Sequence, residues 1–162
     1  MKRLFLFSPL LFALVFSSGA LQCQELTVQT DSGKRVVLSR ADLEALPHIK
    51  VTADEHSSGP VNFEGVSLKS VLEKAGVGFG ESMKGNRLAS CLLVEAADGY
   101  RAVIALPELD PAFTDKQTLL AFSRGGKPLS DKEGPYRIVI PDEKRMARWV
   151  RQVTTLKIVD VQ

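Results

Sequence analysis

The residues with the greatest chemical reach lie between Gly134 and Arg151. Gly134-Pro135-Tyr136-Arg137-Ile138-Val139-Ile140-Pro141 is a short buried-strand signal with an arginine set into it. Lys144, Arg145, Arg148 and Arg151 follow, four cationic side chains in eight residues grouped around Trp149. Arg grips phosphate or carboxylate through a planar fork and also stacks on rings, and an indole adds a stacking face. The stretch is therefore suited to an anionic planar ligand. It reads equally as a solvated basic face with Trp149 filling a core. Asp98-Gly99-Tyr100 offers a carboxylate beside a ring, although Asp-Gly is first of all a turn signal. His56, in a polar segment, is either a ligand group or a solvated histidine.

Other chemistries find less support. The serines lack a Gly-x-Ser-x-Gly elbow, and Cys91 sits inside an apolar run, which disfavours a nucleophilic hydrolase. No P-loop is present, and Gly76, Gly78 and Gly80 close a helix rather than open one. Cys23, Cys91, His48 and His56 never fall at zinc-ligand spacing.

The first residues point to export. Met1-Lys2-Arg3 is a short positive start, Leu4 to Phe16 is apolar apart from Ser8 and Pro9, and Ser17-Ser18-Gly19-Ala20 are small. The pattern predicts a signal peptide over residues 1–20, cut after Ala20, and a periplasmic mature chain. Gln22 before Cys23 disfavours a lipid anchor. Loss of Lys2 and Arg3 removes two of the 21 basic side chains and leaves them equal to the 19 acidic ones. A near-neutral chain gives no general nucleic-acid surface, so no nucleic-acid partner is expected. About 140 residues suffice for one domain with a real core, read as 21–162. Export would permit a Cys23–Cys91 disulfide, and Cys91 reads alternatively as a small buried side chain.

The elements that must position the candidates alternate between strands and short helices. Glu25 to Thr30 and Arg35 to Ser39 flank Asp31-Ser32-Gly33-Lys34 as a hairpin. Ser39 caps a short helix through Leu46, ended by Pro47. His48 to Thr52 reads as extended and Asp54 to Asn62 as a polar loop. Ser67 opens an amphipathic helix with Leu68, Val71, Leu72 and Ala75 on one face and Gly76 as its stop. Leu88 to Ala96 and Arg101 to Leu106 form a hairpin around Asp98-Gly99. Leu119 to Phe122, Arg137 to Ile140 and Val153 to Val161 complete a strand-rich α+β domain.

Taken in order, Phe63-Glu64-Gly65-Val66-Ser67-Leu68, Asp98-Gly99-Tyr100, Leu120-Ala121 with Gly126-Lys127-Pro128-Leu129, Gly134 to Pro141, and Arg148-Trp149 resemble the molybdopterin-binding domain of the sulfite oxidase family, over about residues 47 to 160. The resemblance implies a mixed-sheet, partly barrel-like α+β fold that holds an anionic pterin. It places Arg137 and Arg148 at the cofactor, with Lys144 to Ala147 offering backbone groups as well as charge.

One departure from that pattern bears on function. In the redox members a cysteine thiolate ligates molybdenum from the extended segment before the Phe-x-Gly-Val turn; here that segment reads Val51-Thr52-Ala53-Asp54-Glu55-His56. Neither Thr nor Ala supplies a soft anionic sulfur. The chain looks like the small stand-alone exported members, some of which bind a free reduced pterin without metal. Those members act as non-catalytic periplasmic sensors for a membrane-bound enzyme that makes or degrades cyclic di-GMP. By resemblance, His56, Asp98, Tyr100, Arg137, Arg148 and Trp149 would line the pterin pocket. The alternatives are a molybdopterin-dependent oxidoreductase with an atypical metal ligand set, and an exported scaffold whose pocket is closed.

Overall fold

The computed structural model describes residues 24–55 and 59–160. Residues 1–23, with the expected signal peptide and Cys23, and residues 56–58, with His56, lie outside that description. The chain begins with β1 (Leu26–Gln29), β2 (Arg35–Leu38) and α1 (Arg40–Glu44), followed by β3 (His48–Glu55), β4 (Gly59–Ser67) and α2 (Leu68–Lys74). It continues through β5 (Ser90–Ala96), β6 (Arg101–Ala105), β7 (Leu119–Arg124), β8 (Lys127–Pro128), β9 (Arg137–Val139) and β10 (Val153–Asp160).

Among the described residues, ten strands make two open sheets. The first has the order β2-β1-β10-β5-β6, in which only the β1–β10 pair is parallel. The second runs β3-β4-β7-β8, with β9 also paired to β7. The architecture is α+β with mixed pairing, as expected. The barrel-like part of that expectation is corrected: neither sheet closes on itself among the described residues.

Local signals explain most elements. Ser39 and Asp42 form a reciprocal capping box at the start of α1, Ser39 Oγ accepting from Asp42 N and Asp42 accepting from Ser39 N. The face of α2 formed by Leu68, Val71, Leu72 and Ala75 is buried, as its spacing predicts. The Asp54 to Asn62 loop is corrected to a hairpin, because β3 runs to Glu55, β4 starts at Gly59, and Asp54 pairs with Pro60. Pro60 is tolerated because β4 pairs with β7 only over Phe63 to Ser67, leaving Pro60 a strand neighbour on one side.

The Phe-x-Gly-Val motif has a backbone reason. Opposite a bulge between Glu64 and Gly65, β7 passes so close that a Cβ on Gly65 would lie 2.1 Å from the Leu120 carbonyl oxygen. Only glycine lets the two strands approach in this way. Leu26, Val28, Leu92, Val94 and Leu156 of the first sheet and Phe63, Leu119 and Leu120 of the second belong to one buried cluster, joined by α2.

Candidate binding cleft

Three segments converge at the edge where the sheets meet. The first is the β5–β6 turn, in which Gly99 N donates to Ala96 O at 3.1 Å and Gly99 adopts φ +86°. This is the type I turn with a left-handed third residue that Asp98-Gly99 favours. Asp98 Oδ1 accepts from Tyr100 N at 2.9 Å, which pins the carboxylate to the turn. The second segment is β9, carrying Arg137. The third is the stretch from a short 3₁₀ turn at Met146–Arg148 through Gln152, where the chain takes a positive φ of 49°.

Backbone hydrogen bonds lock the three together. Ile138 N donates to Val150 O at 2.8 Å, Val153 N to Tyr136 O at 3.0 Å, and Ala97 N to Gln152 O at 2.9 Å. The side chain of Tyr100 adds a further tie, donating to Ala147 O at 2.6 Å. Between them opens a cleft of about 290 Å³ lined by Asp98, Tyr100, Arg137, Trp149 and Arg151, together with Met146, Ala147 and Val150. That volume sits at the low end for small-molecule sites.

The sequence candidates are distributed unevenly around this cleft. Asp98, Tyr100, Arg137 and Trp149 all line it. Tyr100 is half exposed at the rim. Trp149 is 4% exposed and braced from behind, its Nε1 donating to Ile140 O at 3.1 Å and its ring meeting Phe63 edge-on at 5.9 Å. It both fills the core and floors the cleft, so the two readings of a lone Trp hold together. Arg148 is not among the lining residues. Its Nε donates to Glu143 at 2.6 Å, and its Nη2 pairs with Glu143 and, at 3.4 Å, with Glu108. Burial opposes the charge on Arg148, but these two carboxylates outweigh it and raise its pKa above the ordinary value.

Arg137 is 1% exposed, and its charge is met inside the protein. Nη1 lies 2.8 Å from Glu55 Oε1 and 2.5 Å from Glu133 Oε1. Arg124 pairs with the other oxygen of Glu55, its Nε at 3.0 Å. The guanidinium of Arg137 is flanked by the rings of Phe63 at 5.3 Å and Trp149 at 5.4 Å. Burial pushes the Glu55 carboxyl up, yet the hydrogen bond from Arg124 and the charge of Arg137 more than offset this and hold it below its usual value. Nε of Arg137 is buried and has no acceptor among the described residues.

Sequence reasoning missed Glu55, Glu133 and Arg124, and it noted Arg151 without placing it at the site. The alternation Val51, Ala53, Glu55 was a signal for a buried Glu55 had the segment been read as a strand. Glu133 stands four residues before Arg137 and reads as a turn residue until the fold folds it back.

The family model described as the oxidoreductase molybdopterin binding domain matches residues 20–162. Among solved structures the chain is similar to the sulfane dehydrogenase SoxCD from Paracoccus pantotrophus, with a TM-score of 0.66 at 21% identity. The match covers 85% of this chain and 38% of that one, so the chain spans well under half the length of this relative. At this identity the likeness speaks to the fold alone. Comparison with curated proteins gives no match.

Proposed function

Because the chain belongs to the family of the oxidoreductase molybdopterin-binding domain, we propose that its cleft holds a reduced pterin without metal and that it works as a non-catalytic periplasmic sensor. In this reading ligand occupancy is relayed to the periplasmic domain of a membrane-bound cyclic-dinucleotide enzyme. The fold is of sulfite oxidase type; the ligand state and the relay are the proposal.

The donor set of the cleft carries the reading. A pterin ring presents an amino group and ring N–H donors beside a carbonyl acceptor. Asp98 supplies a carboxylate to take such donors, and Arg137 lines the same cleft with its charge already met by Glu55 and Glu133. Tyr100 and Trp149 offer aromatic surface to the same space.

The metal half of molybdopterin finds no such match. No cysteine is among the residues lining the cleft, and Cys91 is half-buried in β5, paired with Ala105 and Val159. No three His, Cys, Asp or Glu side chains among the described residues converge as a metal site. The residues lining the cleft therefore do not fit a thiolate-ligated molybdenum. Its own residues bind and orient a ring, and the ordered tie from Tyr100 to Ala147 makes the rim sensitive to occupancy.

Titration of the exported protein with dihydroneopterin, followed by calorimetry, tests the binding. Saturable one-to-one binding that weakens about tenfold in Asp98→Asn is expected, the size of one charge-assisted hydrogen bond. A folded protein that binds no reduced pterin overturns the reading. The relay is tested separately by the cyclic di-GMP content of cells expressing wild type or Asp98→Asn, which should differ.

A further inference from the structure

The first sheet has an outward face as well as a core face. Leu92 and Val94 of β5 and Ile104 of β6 are buried, and strand alternation turns the residues between them the other way. On that outward side the register sets Arg101 opposite Glu95, Val103 opposite Leu93 and Ala105 opposite Cys91. Val159 of β10 lies beside Cys91 and widens the apolar part. The solvent side of an antiparallel pair is normally polar. Here two of the three rows are apolar, and Val103 is 49% exposed. The remaining row is charged, and neither Arg101 nor Glu95 has an ion pair among the described residues.

Two copies of this surface match about one axis. Sheets stack face to face about 10 Å apart with their strands nearly aligned. An axis parallel to the strands and midway between β5 and β6 lays each β6 over the β5 of the second copy. Arg101 then faces Glu95 of the second copy, Val103 faces its Leu93, and Ala105 faces its Cys91. An axis along β5 would instead set Glu95 against Glu95, a like-charge contact. An axis across the strands would press the charged row onto the apolar rows and desolvate both charges without partners.

We propose that this face binds a second copy of the chain in a two-fold dimer whose axis runs along the strands between β5 and β6. The proposal is independent of the ligand in the cleft. Because the turn between these strands carries Asp98 and Tyr100, the two clefts stand at the same end of the dimer. A patch three strands wide and five residues long measures about 10–15 Å by about 17 Å. That is well below a standard interface of about 800 Å² per partner, so the dimer is weak and exchanges.

Sedimentation velocity of the exported chain from about 1 μM to about 1 mM, with a reductant present so that Cys91 cannot cross-link, tests this. A reversible monomer–dimer equilibrium with a Kd on the order of 10–100 μM is expected. Val103→Asp should weaken it at least about tenfold, and its half-exposed position leaves the fold intact by urea denaturation. Glu95→Arg should weaken it by a similar factor, and adding Arg101→Glu should bring association back to within about threefold of wild type. A wild type that stays monomeric throughout overturns the proposal and leaves the face to a different protein. Association that both folded single variants leave unchanged places the dimer elsewhere and overturns this face. Failure of Arg101→Glu to restore what Glu95→Arg removes overturns the axis.

Discussion

Tyr100 reaches across the cleft to donate its phenolic proton to the main-chain oxygen of Ala147, at 2.6 Å. That bond joins the β5–β6 turn to the segment leading into Trp149, two parts of the chain whose contact points stand 47 positions apart. It adds a side-chain tie to the backbone bonds that already hold the walls of the candidate site together. In Tyr100→Phe the fold should lose about 1 kcal/mol or less, the net worth of one partly exposed hydrogen bond. Pterin affinity should fall by about three- to tenfold as the wall loosens. Urea denaturation and calorimetry on the same variant separate the two effects, and unchanged affinity would show that the tie does not shape the site.

Arg148 and Arg151 should behave differently although they stand only three positions apart. Arg148 is spent on Glu143 and Glu108, so Arg148→Ala should cost about 1–2 kcal/mol of stability, reduced from the value for a buried pair by its partial exposure. Arg151 lines the cleft with no ion pair among the described residues. Arg151→Ala should be neutral for stability within about 0.5 kcal/mol and should weaken pterin binding, since its side chain lines the cleft. The reverse pattern would move the ligand to the Arg148 side.

Gly65→Ala should destabilise the protein by about 3 kcal/mol, at the upper end for overpacking. The atoms in the way are main-chain atoms of Leu120 and Ala121, which cannot rotate aside. A drop in the urea midpoint without a change in slope is the expected signature. A variant as stable as wild type would mean that β4 and β7 can part at the bulge.

Acid should weaken the buried ion cluster. Glu55 titrates below its ordinary 4.5 in the folded chain and near it when unfolded. The unfolded form therefore takes up the proton first as pH falls. The stabilisation from Glu55 is whole above that ordinary value and is lost as pH falls through the lower folded value. Glu55→Gln should be less stable near neutrality by about 3 kcal/mol, since two arginines lose their carboxylate. Its stability should also fall less steeply than that of wild type as pH drops through the ordinary 4.5 toward the lower folded value. Parallel pH profiles for the two proteins would contradict this assignment.

These predictions mark what could be read from the sequence and what could not. The α2 face of Leu68, Val71, Leu72 and Ala75, the Asp98-Gly99 hairpin and the strands from Leu119 and Val153 were legible because each carries its own periodicity and its own stop. The β3–β4 hairpin was not, since Ser57-Ser58-Gly59-Pro60 is a strong loop signal and the outward residues Lys50, Thr52 and Asp54 are polar. That misreading concealed Glu55, whose partners Arg124 and Arg137 are brought to it only by the pairing of β7 with β4 and β9. Arg137 was legible as a candidate from its motif and it lines the cleft, but its neutralisation was not, because its pair with the distant Glu55 leaves no local trace. Trp149 was read two ways, and its two ring faces and Nε1 account for both.

Protein recovered from the exported fraction of cells grown with ample molybdenum, assayed for metal by mass spectrometry and for bound organic ligand by extraction and fluorescence, tests the central claim most directly. A reduced pterin that exchanges freely, with far less than one molybdenum atom per chain, is the result expected of a cleft with Asp98 and Arg137 but no cysteine at its lining. Molybdenum bound at one atom per chain would contradict the account.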